Sequence, residues 1–256
     1  MNKGSVIIVG LGPGNENLIT PEAQTAIDQA TDVVGYIPYV KRIAPRDGLT
    51  LHASDNRVEL DRSVHALEMA VEGKQVVVVS SGDPGVFAMA SAVFEALEDG
   101  ISDHPEWASL DIQVVPGITA MLAASAACGA PLGHDFCAIN LSDNLKPFAL
   151  VEHRLRHAAR GDFAMGFYNP RSKSRPTQFG QVLDILREEL TPDHLITFAR
   201  AVSTDEQAIN IQRLGDATPD MADMRTVVLV GNSGTHVIEG TVIVNTPRSQ
   251  KDWVAS

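Results

Sequence analysis

The stretch VIIVGLGPG, residues 6–14, decides the fold class of this chain. A run of β-branched residues is typical of a strand buried on both faces of a parallel sheet, and the glycines that follow indicate a tight loop. Thr20, Pro21 and Glu22 come next. A threonine N-cap with proline at the first helical position predicts a helix from residue 21 to about residue 30. Strand, loop and helix together begin a βαβ unit.

The same alternation continues through the first half of the chain. Apolar runs predict strands, and apolar residues at helical spacing predict helices, such as the stripe Leu60, Val64, Leu67 and Val71. Strands separated by helices imply a parallel sheet. The predicted strands are 32–36, 76–79 and 112–115, and the predicted helices are 60–72 and 86–97.

The pattern changes after Pro116-Gly117. The last strands of this second half follow one another closely, which predicts antiparallel pairing. We therefore predict two α/β domains, 1–116 and 117–247, with an active-site cleft between them and a tail over 248–256. The elements predicted in the second half are helices 118–128, 147–159 and 177–189 and strands 136–141, 163–168, 195–202, 208–213, 226–230 and 241–244.

Charge and cysteine content exclude several classes of protein. A formal net charge of -12 over 256 residues argues against a nucleic-acid partner and against an anionic membrane surface. Two cysteines, Cys128 and Cys137, are too few for a disulfide scaffold or an all-cysteine cluster, and we predict no metal. The apolar runs are too short for a signal peptide or for the roughly 20 residues that span a bilayer. We expect a cytoplasmic protein that does not bind membranes.

The loop over residues 10–14 must be compared with the dinucleotide-binding fingerprint. That motif needs a glycine where Asn15 stands, a helix N-terminus directed at a pyrophosphate, and an acidic residue at the end of the second strand. Here Pro13 removes a backbone donor, the helix begins only near Pro21, and Gly35-Tyr36 occupy the strand end. A nicotinamide-dependent oxidoreductase therefore remains only an alternative of another class.

Several segments, taken in their order and spacing, resemble the tetrapyrrole (precorrin and uroporphyrinogen) methyltransferases. Finer features are similar to the branch of that family that methylates precorrin-3B at C-17, and the resemblance extends from about Val6 to Val244. The family segments are VGLGPG (9–14) with LIT (18–20), SGDP (81–84) and VPGITA (115–120). The branch segments are GYIPY (35–39), SSGDPGVFAMA (80–90), GHDF (133–136), LSD (141–143) and FYNPRS (167–172).

The resemblance implies a homodimeric enzyme, a class III methyltransferase of cobalamin biosynthesis that uses S-adenosylmethionine. The implied reaction is methylation of precorrin-3B at C-17 with ring contraction to precorrin-4, and the implied cofactor position is the cleft between the domains. A donor without phosphates agrees with a glycine loop that lacks pyrophosphate geometry. By the family pattern the cofactor-binding residues are Pro13, Ser81, Gly82, Asp83, Val86, Thr119, Ala120, Tyr168, Asn169 and Ala201.

A tetrapyrrole that carries acetate and propionate groups requires local positive charge on an acidic protein. One basic group lies within residues 171–175, in a predicted loop between a strand and a helix, and arginine forks match carboxylates. A second basic group is formed by Lys41, Arg42 and Arg46. For either group, a solvated charged loop is the alternative. We predict that the substrate-binding residues are Gly12, Tyr36, Arg171, Lys173 and Arg175.

Ring contraction requires proton movement, but no catalyst can be named from the sequence. The candidates are His134, Asp135 and Asp143, in loops that bound the first predicted strand of the second half, where turn or capping roles are the alternative. Other readings are a different position-specific precorrin methyltransferase, a diphthine synthase-like enzyme, or a binding module without catalysis. Whether the substrate carries cobalt stays open, although the lack of cysteines for an iron–sulfur extension favours the metal-free route.

Overall fold

The computed structural model describes residues 4–55 and 58–251. The chain divides into two compact units, Met1–Thr119 and Ala120–Ser256. Each unit is built around its own five-stranded sheet. The tail predicted from residue 248 extends into residues 252–256, which lie outside the described part of the chain.

The sheet of the first unit is parallel throughout, as the sequence predicted. Its order is β3-β2-β4-β1-β5, so the strand that precedes the glycine loop lies between two neighbours. The third strand was missed because it is an edge strand with no fully buried residue. The strands are β1 (Ser5–Gly10), β2 (Asp32–Tyr36), β3 (Thr50–Ser54), β4 (Gln75–Ser80) and β5 (Asp111–Val115).

Helices connect these strands. The first begins as predicted, since the Thr20 side chain accepts a hydrogen bond from the Ala23 amide at 3.2 Å. The start predicted at Val86 is wrong by three residues, because Phe87 has a φ of 54° and cannot continue a right-handed helix. The helices are α1 (Pro21–Gln29), α2 (Ile37–Val40), α3 (Glu59–Val71) and α4 (Met89–Gly100).

The predicted apolar stripe of α3 is only half right. Leu67 is buried, but Leu60 and Val71 are each 44% exposed. Small residues instead form the inner face, and Arg62 lies among them at 4% exposure. Its guanidinium donates to Ser54 Oγ at 2.9 Å, to the Asp55 carbonyl at 2.6 Å and to Met89 Sδ at 3.3 Å. These bonds allow a charged side chain to be buried there.

The second unit contains a mixed five-stranded sheet and a small three-stranded one. Their orders are β10-β9-β11-β8-β7 and β12-β13-β6. The helices are α5 (Ala120–Cys128), α6 (Phe148–Arg160) and α7 (Gln178–Glu189). The strands are β6 (Gly129–Ala130), β7 (Phe136–Asn140), β8 (Ala164–Tyr168), β9 (Leu195–Arg200), β10 (Ala208–Arg213), β11 (Thr226–Val230), β12 (His236–Val237) and β13 (Val244–Asn245).

The predicted pairing of the late strands with one another is wrong, although each of them has an antiparallel neighbour. Strands β10 and β11 flank β9 and do not pair with each other, while β13 belongs to the small sheet. Since β7 is parallel to β8 and β11 is antiparallel to both β8 and β9, the strands β7, β8 and β9 run in one direction. Their carboxyl ends therefore lie along one edge of the sheet.

Helices α6 and α7 pack side by side against this sheet. Leu155 and Leu183 are fully buried, and the rings of Phe179 and Phe198 meet edge to face at 6.2 Å. Beyond this core, both oxygens of Glu189 accept hydrogen bonds from Arg160, and one of them also accepts from Arg156. These two arginines lower the pKa of Glu189 to about 2. The ion pairs join the ends of the two helices.

No helix in the described part of the chain is both long and apolar enough to cross a membrane.

Arg62→Met should lower the free energy of unfolding by about 2–4 kcal/mol, because Ser54 Oγ and the Asp55 carbonyl lose their charged hydrogen-bond donor. Urea denaturation followed by circular dichroism measures this loss. Arg213→Met is the matched control at a side chain 68% exposed, and it should cost less than about 1 kcal/mol. Equal losses in the two variants would contradict the role assigned to Arg62.

Candidate functional site

Two glycine loops join backbone to backbone at the carboxyl edge of the first sheet. The Gly12 amide donates to the Gly82 carbonyl at 3.2 Å, and the Gly82 amide donates back to the Gly12 carbonyl at 2.9 Å. Both residues have left-handed backbone, with φ of 66° and 64°. Glycine adopts this conformation at little cost, so the sequence places it at both partners of the bridge.

A third glycine closes the same contact. A Cβ built on Gly10 would lie 2.5 Å from the Gly82 carbonyl oxygen and 2.7 Å from the Gly117 Cα. Side chains at these positions would push the loops apart. The ends of β1, β4 and β5 are therefore held together by bare backbone.

Asp83 fastens this arrangement with both carboxylate oxygens. Oδ1 accepts from the Gly85 amide at 2.8 Å, and Oδ2 accepts from the Gly117 amide at 3.0 Å. The second bond joins the loop after β4 to the loop after β5. Asp83 therefore acts as a brace, and its predicted contact with a cofactor stays a prediction.

The second basic group predicted from the sequence braces backbone as well. Arg42 Nη2 donates to the Leu11 carbonyl at 2.6 Å and to the Gly14 carbonyl at 3.3 Å. Burial lowers the pKa of Arg42. Arg46 binds carbonyls at the end of α1. In both arginines Nη2 is therefore bound to backbone carbonyls, and a contact of this basic group with substrate carboxylates stays a prediction.

Two tyrosines connect the end of β2 to the loop after β4. The Tyr36 ring meets the Tyr39 ring edge to face at 5.3 Å. Tyr39 hydrogen-bonds Ser81, and burial raises the pKa of Tyr39, so its phenol stays protonated. Tyr39, which was not among the predicted site residues, thereby links Tyr36, a predicted substrate residue, to Ser81, a predicted cofactor residue.

All predicted site residues of the first unit follow strands of one parallel sheet, so they share one edge of it. Edges of this kind are where α/β proteins bind ligands. These residues are Gly12, Pro13, Tyr36, Ser81, Gly82, Asp83, Val86 and Thr119.

Tyr168 and Asn169 end β8 in the second unit. The Tyr168 hydroxyl accepts from the Met121 amide at 3.1 Å, one residue after Ala120 begins α5. Asn169 has a φ of 54°, and its Nδ2 donates to Asn140 Oδ1 at 3.1 Å. This pair of side chains ties together the ends of β7 and β8.

Ala201 follows β9 on the same edge, with a φ of 47°. Its amide donates to the Arg225 carbonyl at 2.8 Å. Left-handed backbone in residues other than glycine costs about 1–3 kcal/mol and is concentrated at functional sites. Asn169 and Ala201 are both residues that the sequence predicted as cofactor contacts.

The predicted basic loop has one inward arginine. Arg175 is 11% exposed, and its Nη1 donates to the Asn169 carbonyl at 3.2 Å and to Gln178 Oε1 at 3.1 Å, while Nε lies 3.8 Å from Asp143 Oδ1. Arg171 Nε donates to the Pro176 carbonyl at 3.2 Å, and Lys173 is exposed. Arg175 thus holds the Asn169 bend, whereas Arg171 and Lys173 lie nearer to solvent.

The three acid–base candidates do not lie together. Asp143 follows β7, on the edge that carries Tyr168, whereas His134 and Asp135 precede β7 at the opposite edge. His134 Nδ1 is 3.6 Å from Asp135 Oδ2, and both line a hollow of about 510 Å³. These two therefore cannot act beside Asp143 on one group.

Residues 5–218 match the family model described as tetrapyrrole (corrin/porphyrin) methylases. The chain belongs to this family. The resemblance stated from the glycine-loop, SGDP and VPGITA segments is confirmed, and so is the prediction of a methyltransferase.

Three tetrapyrrole methylases illustrate the likeness. A protein from Sinorhizobium sp. named precorrin-3B C(17)-methyltransferase is 46% identical over 236 residues, which cover 92% of each chain. The crystal structure of the methyltransferase CobJ is 71% identical, with a TM-score of 0.91, and covers 95% of this chain and 100% of that one. The uroporphyrin-III C-methyltransferase of Thermus thermophilus, solved with S-adenosyl homocysteine, is 22% identical with a TM-score of 0.67, over 89% and 92% of the two chains.

Gly10→Ala should destabilise this methylase by about 1–3 kcal/mol, because backbone atoms must move to admit the new Cβ. Chemical denaturation monitored by fluorescence measures the change.

Gly180→Ala is the matched control. A Cβ there meets its nearest neighbour, Pro219 Cγ, at an ordinary 3.5 Å inside α7. Since alanine favours helix over glycine, this variant should be neutral or up to about 1 kcal/mol more stable. A Gly10→Ala protein as stable as the wild type would disprove the close approach at the strand ends.

Proposed function

We propose that this methyltransferase methylates precorrin-3B at C-17, with contraction of the macrocycle toward precorrin-4, and that S-adenosylmethionine is the methyl donor. The observation that carries the proposal is the 46% identity to a precorrin-3B C(17)-methyltransferase over nearly the whole of both chains. The 71% identity to the methyltransferase CobJ supports it.

The two sheet edges suit such a donor. The close backbone packing at Gly10, Gly82 and Gly117 brings the ends of three strands together, so that one donor can contact the loops after all of them. The loop conformation does not depend on the ligand, because Arg42 and Asp83 already fasten it. The proposed donor contacts are Pro13, Ser81, Gly82, Asp83, Val86 and Thr119 in the first unit and Ala120, Tyr168, Asn169 and Ala201 in the second. The cleft predicted between the units remains part of this proposal.

When bound, S-adenosylmethionine supplies a methyl group on a sulfonium, so the transfer is an in-line displacement by a ring carbon. The task of the protein is alignment, which can be worth roughly 7–11 kcal/mol. The Asn140–Asn169 pair and the Arg175 bond to the Asn169 carbonyl fix the backbone at the end of β8. Among the three acid–base candidates, Asp143 lies on this edge and is the one we retain for proton movement.

The substrate-binding part of the proposal rests on Gly12, Tyr36, Arg171, Lys173 and Arg175. We also propose that the enzyme is a cytoplasmic homodimer, which size-exclusion chromatography with light scattering would test.

Incubation with precorrin-3B and S-adenosylmethionine tests the reaction directly. The product should gain one methyl group by mass spectrometry, and its absorbance spectrum should change as the macrocycle contracts. Transfer to a cobalt-containing tetrapyrrole in preference to the metal-free one would replace the proposed substrate. Thermal protection by NADH in place of S-adenosylhomocysteine would overturn the proposal, since a ligand at about 100 times its dissociation constant adds about 2.7 kcal/mol.

Arg171→Glu should raise the KM for precorrin-3B by about tenfold and change the KM for S-adenosylmethionine less than about twofold. The reason is that a half-buried cation, proposed to meet a polyanion, is replaced by a repelling charge. Steady-state kinetics with each substrate varied in turn provides the measurement.

Arg213→Glu makes the same charge change at an exposed arginine outside the predicted site and should leave both constants near their wild-type values. A rise in the KM for the methyl donor that matches the rise for precorrin-3B would argue against a substrate contact at Arg171.

A further inference from the structure

The N-terminal ends of α6 and α7 line one small hollow in the second unit, at the edge where β7 and β8 end. Its volume is about 270 Å³. This is below the roughly 300–1,000 Å³ of pockets that enclose whole drug-sized ligands, so it has room for a substituent of a large ligand. The lining residues are Asp143, Phe148, Ser174, Arg175, Pro176, Thr177, Gln178 and Gln181.

Both helices begin without a side-chain cap. The side chains of the two N-cap residues, Pro147 and Thr177, accept no hydrogen bond from their helices, and neither first turn contains an acidic residue. The Leu150 and Gly180 amides donate to the carbonyls of these N-cap residues at 3.0 Å each. The remaining first-turn amides and the helix dipole therefore make this place favourable for an anion. The Glu189 ion pairs and the shared core keep the two helices in this arrangement.

The Gln178 side chain indicates independently that a hydrogen-bond acceptor is missing beside it. Its side chain is 7% exposed, and its Oε1 accepts from Arg175 Nη1. Because a guanidinium can only donate, this bond fixes which end of the amide faces Arg175. The other end, Nε2, is buried and has no hydrogen-bond partner among residues 4–55 and 58–251. A buried amide NH₂ without an acceptor is rare in folded proteins.

Arg175 lines the hollow, and Lys146 lies close to Arg175. Burial, followed by the nearby charges of Arg154 and Arg175, lowers the pKa of Lys146. Lys146 Nζ donates to the Ser142 carbonyl at 2.8 Å, which holds the lysine beside the start of α6. Asp143 is the only acidic residue among those that line the hollow, and it faces Nε of Arg175.

We propose that this hollow is a carboxylate subsite, in which Gln178 Nε2, Arg175 and the first-turn amides of α7 bind one acetate or propionate group of the tetrapyrrole. Phe148 offers an apolar wall for the methylene groups of that arm. The tetrapyrrole as ligand rests on the proposed function, whereas the anion site rests on the helix ends and on Gln178. Gln178 would then determine how the macrocycle is oriented on this edge.

Two variants of Gln178 separate binding from folding. Gln178→Glu keeps an acceptor for Arg175 and strengthens that bond by adding charge, so its melting temperature should equal or exceed that of the wild type. It also repels a bound carboxylate, so the KM for precorrin-3B should rise at least tenfold. Gln178→Met removes both the Nε2 donor and the Oε1 acceptor of Arg175 without adding charge, and it should raise the same KM by a smaller factor. The KM for S-adenosylmethionine should change less than twofold in both.

Gln29→Glu and Gln29→Met are the matched controls, at an exposed glutamine at the end of α1, and they should leave both KM values unchanged. Unchanged KM values for precorrin-3B in the Gln178 variants would refute the subsite. A parallel loss of melting temperature and of affinity for both substrates would also refute it, because that pattern indicates a structural role.

Binding without turnover keeps this test independent of the proposed reaction. Uroporphyrin, a stable polycarboxylate tetrapyrrole, should bind the wild type and the Gln29 variants equally and bind Gln178→Glu at least tenfold more weakly by calorimetry. If only inorganic phosphate discriminates between the variants, the hollow is a site for free anions and the proposal is wrong. Failure of the wild type to methylate precorrin-3B would count against the proposed function alone, since the uroporphyrin titration would still decide the subsite.

Discussion

The structure of the first edge depends on the contact of three backbone segments at Gly10, Gly82 and Gly117. No side chain fits between them, so the ends of β1, β4 and β5 are set by peptide geometry. The amides of Gly12 and Gly82 bond across the contact, and Asp83 adds a carboxylate bond to Gly117. A surface made in this way is rigid and has little side-chain entropy to lose when a ligand binds, which suits an enzyme whose main task is alignment.

The second edge reaches a comparable rigidity by different means. Its bends occur at Asn169 and Ala201, which are not glycines, so left-handed backbone must be stabilised by its neighbours. Asn140 holds the Asn169 side chain and Arg175 holds its carbonyl. Arg175 in turn depends on Gln178, which joins the strand end to the first turn of α7. At this edge, side-chain hydrogen bonds hold the backbone in place, whereas at the first edge close backbone contact does so.

Local signals in the sequence were sufficient for most elements and for the family. Thr20-Pro21 marks a helix start whatever surrounds it, and the VGLGPG and SGDP segments lie within residues 5–218, which match the family model. Features that depend on tertiary partners were missed or misjudged. The edge strand β3 lacks a buried pattern, and the inner face of α3 includes Arg62 because of acceptors brought from β3 and its following loop. Sequence distinguishes an arginine from a lysine, but it does not say that Arg42 meets two carbonyls while Arg171 remains near solvent.

An acidic protein should repel an acidic substrate, but this repulsion depends on the distance between the charges. The formal net charge is -12, and at physiological ionic strength the effect of a surface charge decays over about 8 Å. Charges in contact with a ligand are screened far less, so in the proposed subsite Arg175 and the helix ends govern the hollow at the start of α7. The distant acidic surface then opposes non-specific binding of polyanions without weakening a carboxylate that reaches this hollow. On the proposed subsite, a tetrapyrrole is selected because its shape brings a carboxylate to Arg175, whereas other polyanions meet only the general repulsion.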